Sequence, residues 1–439
     1  MRYIAQAIIL VAFVMTVQGC QPTVYLMPTP VAMRSGELDP FKANPNLERN
    51  NLIRVFYATN RLPNEGEPGY SRRYDDTIRF GEAVLSIGDE VKPWEWLHFG
   101  STVGERDADW IIQLKQVEEQ AVLGAQDSFE GLSPELKRFF NTLNARIDAS
   151  LHRDLTVYVH GANNNFYRAT AQAGQYRHFT GYNSVVLTFA WPSAEHLLRY
   201  GADVRNAAAT VPIFARLIEM LARHSTADHI NILAYSAGAM VASPGLAILR
   251  ALHENQPLEE LRRQLRLGEV YFAAPDIDLK RFVQDLNRFK GMTCNVTVTI
   301  NLNDSVLALS QAHQGTSRAG RPDLQELSEE ETRWIMQATH GADLDVIDVN
   351  NDEIPDFRTG SHSFWYSNPW VSSDVLAQFL YHAGPQARGL VERFTKGGDS
   401  MWYFPSDYPQ RVVEAVKRLN AVGEPPECGY RELSPQPSP

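Results

Sequence analysis

At 439 residues, 44% hydrophobic and 21% charged, the chain has the composition of a globular protein able to bury a large core. That excludes a disordered chain and one embedded throughout in a membrane. The formal net charge of −11 argues against a nucleic-acid partner, which needs a basic face that releases counterions.

The chain begins with Arg2 and an apolar run from Ile4 to Val17, too short to span a bilayer but right for the core of a signal peptide. The run ends in "VQGC", which resembles a bacterial lipobox, with Gly19 before the cysteine and Gln18 less usual at its place. The expectation is a lipoprotein signal peptide over 1–19, with Cys20 lipidated and anchoring an exported protein to a membrane of the bacterial envelope. The periplasmic side of the outer membrane is the expected destination. Ordinary signal cleavage and a retained anchor helix are the competing readings. Residues 20–51 are rich in Pro and Asn and lack any period, so a flexible spacer is expected there. The folded domain is placed at 52–425, and "ELSPQPSP" marks a disordered tail over 426–439. Cys294 and Cys428 are a candidate disulfide pair, and without Cys-x-x-Cys spacing they do not point to zinc.

The domain opens with two strands, "IRVFYATN" and "TIRFGEAVLSIG". An irregular Trp-containing stretch, a strand "DWIIQLKQV" and a helix over about 133–151 follow. From there, short apolar strands alternate with helices: "LTVYVHG", "SVVLTFAWP", "HINILAYS", "GEVYFAAPD" and "NVTVTINLN". Nearly continuous apolar strands separated by helices predict a mainly parallel, doubly wound α/β sheet with helices on both faces. Such sheets bind ligands beyond the carboxyl ends of their strands, so the strand-to-helix junctions are where chemistry is expected.

The sharpest junction is "ILAYSAGAM", where Ser236 lies between Ala234 and Gly238. Small residues two before and two after a serine at a strand-to-helix turn fit a nucleophile elbow; a serine capping an ordinary helix is the plainer reading. A second junction is "VYVHGANNNF", a strand running into His160, Gly161 and three asparagines, which is either an Asx turn or an oxyanion loop.

The ordered set "VFYATNR", "VYVHGANNNF", "LTFAWPS", "ILAYSAGA", "FAAPDID", "NDSVLALSQAHQGTSRAG" and "GSHSFW" resembles the α/β-hydrolase superfamily. Within it, the set resembles an uncharacterised bacterial esterase/lipase-like family of predicted lipoproteins. Tyr235 departs from the pattern, since relatives commonly carry His before the nucleophile. The resemblance implies the α/β-hydrolase fold, a chain order of nucleophile, acid and histidine, and an oxyanion hole from the Ala162 and Ala237 amides. The acid is expected at Asp304, after the second strand beyond the nucleophile strand, with Asp276 and Asp278 as alternatives. The histidine is expected at His362 in "TGSHSFW", with His313 and His340 as rivals. His160, Gly161, Asn163, Asn164, Tyr235 and His313 are expected around the pocket, His160 bracing the loop.

The implied activity is cleavage of carboxylic esters through an acyl-enzyme, with no cofactor. Acyl transfer by the same triad and a catalytically idle binding scaffold are the alternatives. A lid is expected either from the segment around Trp94, Trp96 and Trp110 or from "SAEHLLRYGAD". Asp348, Asn350, Asp352 and Asp356 are spaced somewhat like a calcium loop, but Glu353 stands where such a loop needs Gly. An acidic surface loop without metal is expected.

Overall fold

The computed structural model describes residues 23–422, apart from 37, 67, 89–91, 104–105, 107, 195–198, 341–343, 350–353, 356 and 395–399. The signal segment, Cys20, Cys428, the C-terminal tail and most of the acidic loop therefore lie outside the described residues. Cys294 is disulfide-bonded.

The strands are β1 (Leu52–Pro63), β2 (Tyr70–Ile87), β3 (Ile112–Leu123), β4 (Leu155–Val159), β5 (Val185–Phe189) and β6 (Ile230–Tyr235). They continue as β7 (Leu267–Ala273), β8 (Thr293–Ile300), β9 (Leu344–Asp348), β10 (Val391–Phe394) and β11 (Ser400–Tyr403). All form one sheet in the order β10-β11-β9-β8-β7-β6-β4-β5-β1-β2-β3. The run from β1 through β5, β4, β6, β7, β8 and β9 to β11 is parallel, while β2, β3 and β10 pair antiparallel at the edges. β4, β5, β6 and β7 are buried at every position, because each strand has helices on both faces.

Alternate strand residues feed two cores. Val157, Leu187, Ile232 and Phe272 pack with the helices Pro134–Asp148, Tyr200–His224, Ala239–Leu252 and Leu279–Phe289. Tyr158, Val186, Leu233 and Tyr271 pack with the helices Phe166–Phe179, Pro369–Tyr381 and Tyr408–Val422. The period-two alternation of the strands thus builds three layers.

Residues 23–51 correct the expectation of a flexible spacer. Leu26, Met27, Val31, Met33 and Phe41 are buried. Tyr25 bridges Ile111, and the Leu26 amide bonds the Trp110 carbonyl at 2.7 Å, extending the sheet past the start of β3. Arg106 holds this strap down, donating to the carbonyls of Leu26 (2.9 Å) and Met27 (2.8 Å) while its guanidinium stacks over Trp110. Burial pushes the Arg106 pKa down to about 10, so it remains charged at neutral pH. The segment shows no helical or strand period because its burial comes in two short runs, 26–27 and 29–33, and at Phe41, the second run holding only a one-turn helix, Val31–Arg34.

The Trp-containing insertion, one of the two lid candidates, lies beneath the strap. Trp96 stacks on Trp110 at 3.9 Å and Trp94 packs edge-on to Phe41 at 5.5 Å. It forms a helix, Trp94–Thr102, where an irregular stretch is expected from the sequence.

Candidate active site

The site assembles at the carboxyl ends of β4, β6, β7 and β8, the edge of the sheet where crossover helices begin. Ser236 follows β6 with φ +53°, a left-handed conformation that a non-glycine residue adopts only at a cost of roughly 1–3 kcal/mol. That turn needs small neighbours. A Cβ on Gly238 would meet the Val159 carbonyl oxygen at 2.4 Å, and one on Gly161 would meet the Ser236 Cβ at 2.9 Å. Ala234 is fully buried. We expect Gly238→Ala to push the elbow off β4, lowering stability by about 1–3 kcal/mol and abolishing reaction of Ser236 with a fluorophosphonate. Thermal melts and labelling of the purified variant check both.

Ser236 Oγ lies 2.8 Å from His362 Nε2, and His362 Nδ1 lies 2.7 Å from Asp304 Oδ2. Asp304 is fully buried, and its other oxygen accepts from the Val306 and Leu307 amides at 2.9 Å each. One carboxylate thus caps the helix Ser305–Gln314 and fixes the imidazole, so its orientation is set by backbone. His362 comes from a loop stapled to the end of β8. Asn301 donates to the Ser361 carbonyl at 2.8 Å, and Ser305 Oγ to that of Gly360 at 2.9 Å. The Tyr235 ring lies 5.4 Å from the imidazole and forms its floor; burial raises its pKa, keeping the phenol neutral.

The run of asparagines divides its work. Asn163 takes the left-handed turn at φ +55°, and its amide donates to Asp203 at 3.3 Å. Asn164 is buried and donates its amide to Ser193 Oγ at 2.9 Å. Asn165 caps the helix Phe166–Phe179 by accepting from the Arg168 amide. Among the described residues, the Ala162 and Ala237 amides have no hydrogen-bond partner. His160 is fully buried, stacked on Trp191 at 5.2 Å and 5°. Burial, aided by the Arg61 charge, holds the His160 pKa down at about 3, so the ring is neutral bracing.

Arg61, at the end of β1, escaped notice. It is fully buried and donates to Ala190 (3.2 Å), Trp191 (3.0 Å) and Asn164 (2.7 Å), tying the β4 and β5 loops together. Nothing in the residues after "VFYATN" marks it out, because its burial and its carbonyl partners appear only in the fold.

Of the alternative acids, Asp278 caps the helix Leu279–Phe289 through the Arg281 amide. Asp276 is buried against Arg318 at 2.7 Å and accepts from Tyr200 and Ser310, while its amide donates to the Ser236 carbonyl at 3.0 Å. Neither bonds His362 among the described residues. The cleft over Ser236, about 800 Å³, is lined by Ala162, Asn163, Tyr235, Asp276, His313 and His362, among others. His160, Gly161 and Asn164 support it from behind. The His340 side chain lies outside the described residues.

Residues 137–378 match the family described as alpha/beta hydrolase of unknown function (DUF900), more than half of the chain. The chain is a DUF900 alpha/beta hydrolase. No curated protein and no solved structure matches it. The DUF900 match takes in Ser236, Asp304 and His362 and leaves the strap and β1–β3 outside. One group of potential metal ligands, Asp154, His229 and His382, occurs among the described residues of this alpha/beta hydrolase. It lies where β4 and β6 begin, away from the cleft, and its members bond one another.

Proposed function

We propose that this alpha/beta hydrolase cleaves carboxylic esters by nucleophilic catalysis. The observation that carries the reading is the unbroken chain from Ser236 Oγ through His362 to the buried Asp304, at 2.8 and 2.7 Å. His362 takes the hydroxyl proton as Ser236 attacks the acyl carbon, and Asp304 holds the imidazole tautomer and stabilises its charge. The oxyanion then sits on the two unoccupied amides of Ala162 and Ala237, each worth about 3 kcal/mol in the transition state. Collapse expels the alcohol with the proton from His362, and water, activated by the same imidazole, releases the acid.

Purified protein lacking residues before Gln21 should take up a fluorophosphonate at Ser236 and lose that label in His362→Ala. Labelling elsewhere, or labelling that survives the substitution, would sink the reading, since an unactivated serine is a poor nucleophile.

We further propose that Cys20 anchors the protein in the bacterial envelope, which the "VQGC" boundary supports. Among the described residues no helix is long and apolar enough to cross a membrane. Cys20→Ala should move the protein from the membrane to the soluble fraction; retention in the membrane would refute the anchor.

A further inference from the structure

The cleft is cationic in an acidic protein. The chain has 52 acidic against 41 basic residues, so unpaired cations should be scarce. Yet Arg168 and Arg358 both line the cleft with Ser236 and His362. Arg205 is not in the lining itself but lies next to it, its Nη1 3.8 Å from where a Cβ on the cleft-lining Gly201 would lie. Among the described residues, none of these three has a carboxylate within ion-pair distance. Arg358 and Arg205 are exposed. Arg168 is half-buried; its Nη1 bonds the Asn163 carbonyl at 3.2 Å, and its Nε is buried without a partner.

Among the described residues, the one carboxylate that lines the cleft does not offset them. Asp276 is neutralised by the buried Arg318, and the Tyr200 and Ser310 hydroxyls are spent on its oxygens. The rest of the lining near the serine includes the apolar Val306 and Leu309, Leu309 being 59% exposed. An exposed apolar floor beside guanidiniums that have no carboxylate partner among the described residues fits a ligand with a short hydrocarbon segment and a negative charge. Arginine suits carboxylate and phosphate because its planar fork makes two parallel hydrogen bonds to either.

We propose that the substrate is an ester carrying an anionic group, carboxylate or phosphate, held by Arg168 with Arg358 and Arg205 at the rim. This rests on the ester-hydrolase reading. The anion is not altered: water adds across the acyl–oxygen bond, and the charged group leaves with the acid or with the alcohol.

Matched pairs test it. Monoethyl adipate and ethyl hexanoate differ by a carboxylate in place of a methyl group on the acyl side. 2-Acetoxyethyl phosphate and butyl acetate place the charge on the alcohol side. Binding to Ser236→Ala by calorimetry reads recognition without turnover, and kcat/KM of the unsubstituted protein reads it in catalysis. We expect the anionic member of one pair to be favoured about tenfold at low salt, the pair showing which side carries the charge. Arg168→Gln and Arg358→Gln should each cut that ratio severalfold. The exposed Arg358 contribution should fade as salt is raised. Equal or weaker binding of the anionic member in both pairs overturns the proposal, as does a preference that survives both substitutions. Preferential binding with no turnover of any ester by the unsubstituted protein would instead leave the anion site standing and refute ester hydrolysis.

Discussion

Asp304→Asn will lower the proposed ester turnover by about 10⁴-fold, the scale of losing the acid that fixes an imidazole tautomer, with little loss of stability. Its Oδ1 accepts from the Val306 and Leu307 amides, and an asparagine oxygen can keep both bonds. The remaining amide group then faces His362 Nδ1 at 2.7 Å and offers a donor where the ring needs an acceptor. The imidazole must turn its other tautomer to Ser236, presenting an N–H to the hydroxyl it should deprotonate. Ser236→Ala and His362→Ala should each cost about 10⁶-fold, and pairing either with Asp304→Asn should add little, because the residues act as a unit. Asp276→Asn discriminates. It leaves buried Arg318 without its counter-charge, which should cost about 3–5 kcal/mol of stability while reducing turnover far less than Asp304→Asn. Steady-state rates and urea midpoints of the two variants decide. If Asp276→Asn produced the 10⁴-fold loss and Asp304→Asn did not, the acid would have been placed wrongly.

What could be read ahead of the structure divides along physical lines. The parallel sheet was legible because β4, β5 and β6 are buried on both faces, and an uninterrupted apolar run can do little else. Ser236 was legible because its turn tolerates so little: the close approaches at Gly161 and Gly238 leave a signature of small residues. The His362 loop was legible only through its Gly and Ser content and its place after Asp304 in the chain. The strap was misread because burial there is piecemeal, Phe41 under Trp94 and Leu26 against Trp110, with no period to betray it. Arg61 and Arg168 were missed for another reason. Their partners are backbone carbonyls of loops, and carbonyls carry no sequence signal. The cleft wall of Tyr200, Asp276 and Ser310, with Arg318 behind it, joins residues as far as 110 apart in the chain, and only the fold brings them together.

His382→Gln will destabilise the protein by about 3–5 kcal/mol near neutral pH, and the deficit will shrink as pH rises towards 10. His382 ends the helix Pro369–Tyr381 in a left-handed turn at φ +47°. Its Nε2 lies 2.6 Å from Asp154 Oδ2 and its Nδ1 3.4 Å from Glu269 Oε1, joining the helix to the residue before β4 and to β7. His229 and Asn231 complete the group around Asp154, and Gln378 bonds Glu269 at 2.7 Å. Burial alone would discharge this imidazole, but the Asp154 charge and its hydrogen bond, with Glu269 behind, raise its pKa to about 10. The same attraction holds Asp154 well below the usual carboxylate range despite its burial. In the unfolded chain a histidine titrates near 6.5. The folded state therefore binds the extra proton between those values. The contribution of His382 is complete below about pH 6.5, declines through the alkaline range and is lost as pH passes about 10. Asp154 works in the opposite sense, contributing above its ordinary pKa and losing its share on strong acidification. Glutamine can still bond one carboxylate, but it carries no charge, so among the described residues Asp154 keeps only His229 and Asn231 and Glu269 only Gln378. Urea midpoints of both proteins from pH 6 to 10 measure this. A deficit that stays constant across the range would show that His382 acts through shape and hydrogen bonding alone, and that its proton does not hold the helix Pro369–Tyr381 to the sheet.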